Sequence, residues 1–177
     1  MIELLAPAGS EECFFAAVNN GTDAVYLGLS SFSARKNAAN FNGENIGYFV
    51  SYAHSVGVKV YVALNTIVKD CELSDFIKTA GIALGAGADA LIIQDIFLGK
   101  VLKEVYPDCV IHLSTQAGVN NLSGEELAKE YGVSRVILAR ETEIEEIRSI
   151  AKEIETEIFV HGALCSSFSG HCYLSSF

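Results

Sequence analysis

Two cysteines near the end of the 177-residue chain, Cys165 and Cys172, are the residues whose type and spacing point most directly to chemistry. They lie seven positions apart beside two glycines, directly after a predicted strand, so the backbone can turn and offer both thiolates to one centre. Two thiolates cannot by themselves close a zinc or iron–sulfur site. Two other interpretations stay open: Cys165 as a nucleophile activated by His161 or His171, and small buried thiols in a tight loop.

Polar side chains follow nearly every predicted strand. The carboxyl ends of the strands of a parallel barrel converge on one rim, so these side chains are expected to surround a single pocket. Arg140 is the expected anchor for an anionic substrate group, because its guanidinium fork matches a carboxylate or phosphate at any working pH. We expect His161, Glu141 and Asp95 to be catalytic. The residues expected to bind substrate beside Arg140 are Asn65, Ser114 and Gln116, with Gln94 near them and with Arg35 and Asn40 in a polar loop that forms a lid or an exposed insertion.

The same strand ends also have a structural interpretation. Asp95 and Glu141 can cap the helices that follow them, and Asn65 can close a turn. Five polar strand ends together nevertheless favour a shared pocket over five separate caps.

The elements that must position these residues are short apolar runs that alternate with amphipathic stretches. Each run is nearly continuous, which is typical of parallel strands covered on both faces. The predicted strands are Ile2–Ala6, Ala24–Gly28, Lys59–Leu64, Ala90–Ile93, Val110–Leu113, Arg135–Ala139 and Glu157–Val160. The predicted helix signals are N-caps at Ser10, Ser123 and Thr142, the last two in capping boxes with Glu126 and Glu145, and left-handed caps at Gly21, Gly57, Gly87 and Gly132.

Seven successive βα steps without a hairpin signal leave two architectures, a doubly wound open sheet and a (β/α)8 barrel. The first turn, Pro7–Ser10, holds one glycine and no G-x-G-x-x-G motif, which favours the barrel. A complete barrel needs an eighth strand and typically about 250 residues. The sequence therefore predicts an incomplete TIM-type barrel of about seven βα units. Residues 1–177 are expected to be the N-terminal portion of a longer protein whose C-terminal remainder is absent.

The composition narrows the class of protein. Half of the residues are apolar and only two are proline, which excludes a disordered chain. No apolar run approaches the roughly 20 residues of a membrane span, and the N-terminus lacks a signal-peptide pattern, so we expect a cytoplasmic protein. The formal net charge of −10 argues against a broad nucleic-acid surface on this part of the chain.

The C-terminal stretch resembles a known family. Glu157 to Cys165, four further residues, and then Gly170 to Ser175 fill every specified position of the diagnostic pattern of the collagenase-like peptidase family, unassigned-peptidase family thirty-two. Similar blocks recur along the chain: Pro7–Ser10, Asp23–Gly28, Ala34–Arg35, Asn40–Phe41, Leu64–Asn65, His112–Gln116 and Leu138–Glu141.

The resemblance implies a cytoplasmic bacterial or archaeal protein with an N-terminal barrel. Many members of the family are labelled collagenase or metal-dependent protease. Others hydroxylate a tRNA wobble uridine using prephenate, a ribosomal RNA cytidine, or a ubiquinone precursor, all without oxygen. The hydroxylating members hold an iron–sulfur cluster on four cysteines, of which the first two correspond to Cys165 and Cys172 and the other two would follow residue 177.

Three functions follow from these observations. The first is iron–sulfur-dependent hydroxylation of an RNA base or a small aromatic acceptor, with Arg140 orienting an anionic co-substrate such as prephenate. The second is a peptidase that uses Cys165 as nucleophile or a metal on His161, His171 and Glu157, although H-E-x-x-H and G-x-S-x-G motifs are absent. The third is a binding scaffold. We expect this fragment alone to be inactive and to self-associate through exposed strand edges, and we expect RNA binding to depend on chain beyond residue 177.

Overall fold

A computed structural model describes residues 2–34, 41–162 and 165–169. Its seven strands form one parallel sheet, in which the strands are neighbours in the order in which they occur along the chain. The strands are β1 Leu5–Pro7, β2 Ala24–Gly28, β3 Lys59–Leu64, β4 Ala90–Ile93, β5 Ile111–Leu113, β6 Arg135–Ile137 and β7 Glu155–Glu157. The helices are α1 Glu11–Val18, α2 Ile46–Ser55, α3 Leu73–Gly85, α4 Ile96–Val105, α5 Leu122–Glu130 and α6 Ile144–Ile150, with 3-10 turns at Asp70–Glu72 and Thr115–Ala117.

The strand order identifies the architecture. A doubly wound sheet reverses its strand order at a switch point, whereas this sheet runs from β1 to β7 without a reversal. The sheet also curls. The evidence is that the side chain of Glu3, just before β1, forms hydrogen bonds with Tyr61 on β3 and with Arg135 on β6. The predicted incomplete TIM-type barrel is therefore confirmed, with seven strands and six intervening α-helices in the described residues. No helix within the described ranges is long and apolar enough to cross a membrane.

Alternate residues of each strand pack on opposite faces of the sheet. Val60, Val62 and Leu64 of β3 belong to the large core that includes helix residues such as Phe14. The intervening residues of β3 belong to a smaller apolar cluster on the other face, inside the barrel. This inner cluster comprises Ala24, Tyr61, Ala63, Ala90, Ile92 and Ile137.

Glycines end several of the helices, as the sequence predicts. Gly21, Gly57, Gly87 and Gly132 all have φ between +80° and +93°, a region that residues with a Cβ rarely adopt. Each lies within a few residues of the next strand, so these caps set the short turns that lead from helix to strand.

Two of the three predicted helix starts are wrong. Ser10 caps α1 as expected, since its hydroxyl accepts a hydrogen bond from Cys13 N. Helix α5 begins earlier than predicted, because Asn121 accepts from Gly124 N and caps it in place of Ser123. Helix α6 begins one residue later than predicted.

The cap of α6 is Glu143, which forms a capping box with Glu146. Thr142 instead donates to the carbonyl of Ala139. The alternative in which Glu141 caps this helix is therefore also wrong.

The bounds of the outer strands also differ from the prediction. Strand β7 is Glu155–Glu157, whereas the apolar run Ile158–Val160 lies beyond the ladder and is exposed. The apolar pattern misplaces the strand because the residues that face the barrel interior at this point are carboxylates. Strand β1 begins at Leu5, since Ile2 is 94% exposed and precedes the paired residues.

Candidate functional site

A cavity of about 410 Å³ lies at the carboxyl ends of β4 and β5. Three of the residues predicted from the strand ends line it, Gln94, Asp95 and Gln116. The N-termini of α4 and α5 open onto the same space, because their caps, Asp95 and Asn121, belong to its wall. The rest of the lining is formed by Ile67, Ile96, Leu113, Ala117, Gly118, Val119, Asn120, Gly124 and Leu127.

Gln116 carries an unsatisfied polar atom in this wall. Its Oε1 is buried without a hydrogen-bond partner, while its backbone N–H donates to Ser114 Oγ at 3.3 Å. Either orientation of the amide places a polar atom there, and a buried unpaired polar group costs about 1–3 kcal/mol. The Gln116 amide is thus an unpaired polar group beside the cavity, at a position where the strand ends predict a substrate-binding residue.

Three other strand-end residues have local structural partners. Asp95 accepts from Phe97 N at 2.9 Å and caps α4, so its capping interpretation is confirmed. Ser114 is buried and begins the 3-10 turn that carries Gln116. Asn65 Oδ1 accepts from Ala34 N at 3.2 Å and thereby joins the end of β3 to the segment after β2.

The end of β6 is occupied by the cysteine loop. Arg140 donates from Nη1 to the carbonyl of Cys165 at 2.7 Å and from Nη2 to that of Ser167 at 2.5 Å. Glu141 accepts from Ser169 N at 2.7 Å. Neither Arg140 nor Glu141 is part of the cavity wall. No pattern in the sequence signals this contact, because it joins residues 25 to 29 positions apart through backbone groups.

The cysteines of the described chain are dispersed. Cys13, Cys71 and Cys165 are exposed, and Cys109 is buried, which raises the pKa of its thiol. Across residues 2–34, 41–162 and 165–169, no three His, Cys, Asp or Glu side chains are arranged to hold a metal ion. The predicted ligand Cys172, the predicted substrate-binding Arg35, and Asn40 and His171 lie outside the described residues.

His161 and Glu157 do not form one site. His161 is exposed beyond β7, and no hydrogen bond of the described structure joins it to Cys165. Glu157 is the last residue of β7, and its side chain lies inside the barrel with Oε2 3.6 Å from Arg135 Nη1. The peptidase hypothesis thus gains no assembled nucleophile or metal site from the part of the chain that is described.

Sequence reasoning missed a charged group inside the barrel, at the ends of the strands opposite to the cavity. Arg135, the first residue of β6, is 6% exposed in its side chain and donates to Glu3 at 2.7 Å and to Glu155 at 2.6 Å. Glu3 also accepts hydrogen bonds from Tyr61 and Lys59. These residues lie at or near the starts of strands that the sequence marks mainly by their apolar residues. Their position near the strand starts is therefore the only sequence signal that could have identified this charged group.

The pKa values of the residues in and beside this group shift in different directions. Burial would raise the pKa of Glu3, but hydrogen bonds from Arg135, Tyr61 and Lys59 outweigh it and lower the pKa to about 2. Burial raises the pKa of Glu157 to about 7, despite the attraction of Arg135. Burial and the Arg135 charge lower the pKa of His112 to about 3, so this imidazole is neutral. These side chains lie toward the amino ends of the strands. In TIM-type barrels, residues at that end usually stabilise the fold, whereas catalytic residues lie at the carboxyl ends.

The sequence from residue 9 to residue 177 matches the profile of peptidase family U32. The chain belongs to this family. It is 41% identical over 178 residues to tRNA hydroxylation protein P of Escherichia coli, an alignment that covers 99% of this chain and 39% of that protein. It is 38% identical to the 23S rRNA 5-hydroxycytidine C2501 synthase of the same organism, over 98% of this chain and 26% of that protein.

The chain thus spans about two fifths or less of the length of these two curated relatives. Among solved structures, that of a U32 peptidase superposes with a TM-score of 0.69 at 14% identity, covering 89% of this chain and 67% of that one. At this identity the likeness supports the barrel fold alone.

Proposed function

We propose that this chain is the barrel part of a cytoplasmic enzyme that hydroxylates a base in tRNA or rRNA without oxygen. The observation that carries the proposal is the position of the Cys165 loop, which is bound to the end of β6 by Arg140 and Glu141. The same stretch of chain contacts the cavity wall, since Ala139 N donates to the carbonyl of Val119 at 3.0 Å. The proposed cluster ligand and the proposed substrate cavity are therefore both in contact with the segment that follows β6.

The cavity is suited to a nucleobase. It offers amide and carboxylate groups from Gln94, Asp95, Gln116, Asn120 and Asn121, which pair with the N–H and carbonyl groups of a base edge. A volume of about 410 Å³ lies within the usual range for small-molecule sites. We propose that the base is turned out of its RNA stack into this cavity, as enzymes that modify bases require.

Cys165 fits the role of one ligand to an iron–sulfur cluster. Its side chain is exposed, and the loop that bears it is held by hydrogen bonds on its backbone, so a soft sulfur ligand is available at a fixed place. Such a cluster requires four cysteines. Cys172 and two cysteines after residue 177 complete the set that we propose for the full-length protein. When bound, the cluster would supply electron transfer for replacing a C–H of the base by C–OH, a two-electron oxidation in which the proposed co-substrate would supply the oxygen atom and take up the two electrons.

The remaining parts of the proposal concern partners. The formal charge of −10 leaves little of this chain's surface for the RNA backbone, so we propose that a further part of the full-length protein binds it. Prephenate is the proposed co-substrate. His161 and the cavity carboxylate Asp95 remain the proposed groups for moving protons, and both are accessible enough to contact a ligand.

The test uses the full-length gene product, purified without oxygen. We expect bound iron and sulfide, visible absorbance, and restoration of hydroxylated nucleosides in digested RNA from a deletion strain. Cys165→Ser is expected to lose all three, whereas Cys13→Ser, which replaces another exposed cysteine on α1, is expected to keep them.

Two results would contradict the proposal. One is a colourless protein that takes up no iron on reconstitution. The other is peptide cleavage that is lost in Cys165→Ser while the hydroxylated nucleosides are retained, which would favour the peptidase.

A further inference from the structure

Two adjacent residues after β6 make four hydrogen bonds to one five-residue loop. The guanidinium of Arg140 donates to the carbonyls of Cys165 and Ser167, and its backbone N–H donates to Ser169 Oγ at 3.1 Å. The carboxylate of Glu141 accepts from Ser169 N at 2.7 Å. Both ends of the loop and its middle are thus bound to the two residues that follow β6.

The chemistry of these contacts depends on arginine. A planar guanidinium presents paired N–H groups in a fixed fork, so it can bridge the carbonyls of Cys165 and Ser167 at once. A lysine ammonium is a single point of donation on a flexible stem and lacks that fork. The bonds are also charge-assisted, which makes each stronger than a neutral one.

The charge of Arg140 has a partner. Its Nη2 lies 4.0 Å from Glu141 Oε1, and the side chain is 26% exposed. Burial would raise the pKa of Glu141, but hydrogen bonds from its own backbone and from Ser169, together with the Arg140 charge, lower it below its ordinary range. The carboxylate is therefore ionised at neutral pH and balances the guanidinium. A free anionic substrate would have to compete with this pair.

The segment between β6 and the Arg140–Glu141 pair is buried and hydrogen-bonded to neighbouring elements. Leu138 and Ala139, just before Arg140, are buried, and the carbonyl of Leu138 accepts from Thr115 Oγ1 at 3.0 Å. Ala139 donates to Val119 of the cavity wall. Hydrogen bonds therefore fix the backbone just before the pair, and one of them is made with the wall of the cavity.

We infer that Arg140 and Glu141 form a latch that fixes the Cys165 loop and presents its thiol before any metal is bound. Arg140 is in this view a positioning residue for Cys165 and not the anchor of a free co-substrate. The purpose of the latch rests on the proposed function, since it prepares a ligand for the cluster. The latch itself is a property of the metal-free chain and can be measured there.

The experiment uses metal-free full-length protein and follows two signals by mass spectrometry. One is deuterium exchange of the amides in residues 165–169, and the other is the alkylation rate of Cys165 by iodoacetamide. Arg140→Ala and Glu141→Ala are expected to raise exchange by about 10- to 100-fold, because each removes charge-assisted hydrogen bonds. Arg140→Lys is expected to fail to restore protection. The matched control is Arg148→Ala, which breaks an exposed ion pair on α6 and is expected to leave both signals unchanged.

The outcomes separate the latch from the proposed function. Unchanged exchange and alkylation in both Arg140→Ala and Glu141→Ala would overturn the latch, as would full protection in Arg140→Lys. Variants that raise only the KM for an anionic co-substrate, with an unaltered loop, would return Arg140 to the role of substrate anchor. A protein that binds no iron but whose loop loosens in these variants would support the latch and refute the cluster. If Arg140→Ala does not fold, Glu141→Ala carries the same test.

Discussion

Replacing Glu157 by glutamine should stabilise the protein at alkaline pH and leave it almost unchanged in acid. The Glu157 side chain is 17% exposed, and its Oε2 is buried without a hydrogen-bond partner, 3.6 Å from Arg135 Nη1. At that distance the guanidinium attracts the carboxylate without donating a good hydrogen bond. Burial therefore dominates and raises the pKa of Glu157 from 4.5 to about 7.

The sign and size of the effect follow from this pKa. Between pH 4.5 and 7 the folded protein binds a proton at Glu157 that the unfolded chain has released, so stability falls as pH rises through this window. The full difference is about 3 kcal/mol, at 1.36 kcal/mol for each pKa unit. Glutamine carries no charge at any pH. Glu157→Gln is accordingly expected to match the parent near pH 4 and to exceed it by up to about 3 kcal/mol at pH 8.

Urea unfolding at pH 4 and pH 8 measures this difference. The control is Glu155→Gln, which also removes a carboxylate from Arg135 but at a side chain that is 61% exposed. Because exposed ion pairs contribute about 0–1 kcal/mol, its effect should be small at both pH values. A free-energy gain for Glu157→Gln that is equal at pH 4 and pH 8, or a loss of stability at pH 8, would refute the reasoning.

Two further substitutions test the packing of the barrel. Arg135→Met is expected to lower the free energy of unfolding by about 3–5 kcal/mol, because it removes the cation beside the largely buried Glu157 and one of the hydrogen-bond donors to Glu3. Arg148→Ala on the surface should cost less than about 1 kcal/mol, and equal losses in chemical denaturation would contradict this. Gly99→Ala would place a Cβ 2.6 Å from the backbone oxygen of Tyr131 and should destabilise the protein by about 1–3 kcal/mol. In the control Gly124→Ala, the added Cβ meets nothing closer than 3.4 Å, so the change should be neutral or stabilising. A melting temperature of Gly99→Ala at or above that of the parent would contradict this prediction.

The fold was largely predictable because local signals agree with one another. The glycines that end helices, such as Gly21 and Gly87, require a positive φ that few other residues tolerate, so they mark the turns directly. The apolar runs of β3 and β4 are buried on both faces, which makes a parallel sheet covered by helices the consistent solution. The same reasoning failed for β7, where the inward-facing positions are carboxylates that pair with Arg135.

The candidate site was predictable only as a set of positions. Strand ends converge in a parallel barrel, and this rule correctly places Gln94, Asp95 and Gln116 around one cavity. It cannot assign partners, because the contacts of Arg140 and Glu141 are made with backbone groups of a loop that has no periodic pattern. The roles of these side chains depend on the path of the chain after β7.

The hydrogen bond between Glu3 and Arg135 joins residues that are 132 positions apart, although the strands otherwise pair with their immediate predecessors. During synthesis, each new βα unit can add to the one before it with only a short loop to close. A nascent chain that ends before Arg135 leaves the Glu3 carboxylate with Lys59 and Tyr61 among the partners described for it. The start of the first strand is therefore secured in two stages, and the second must wait until the sixth strand has emerged from the ribosome.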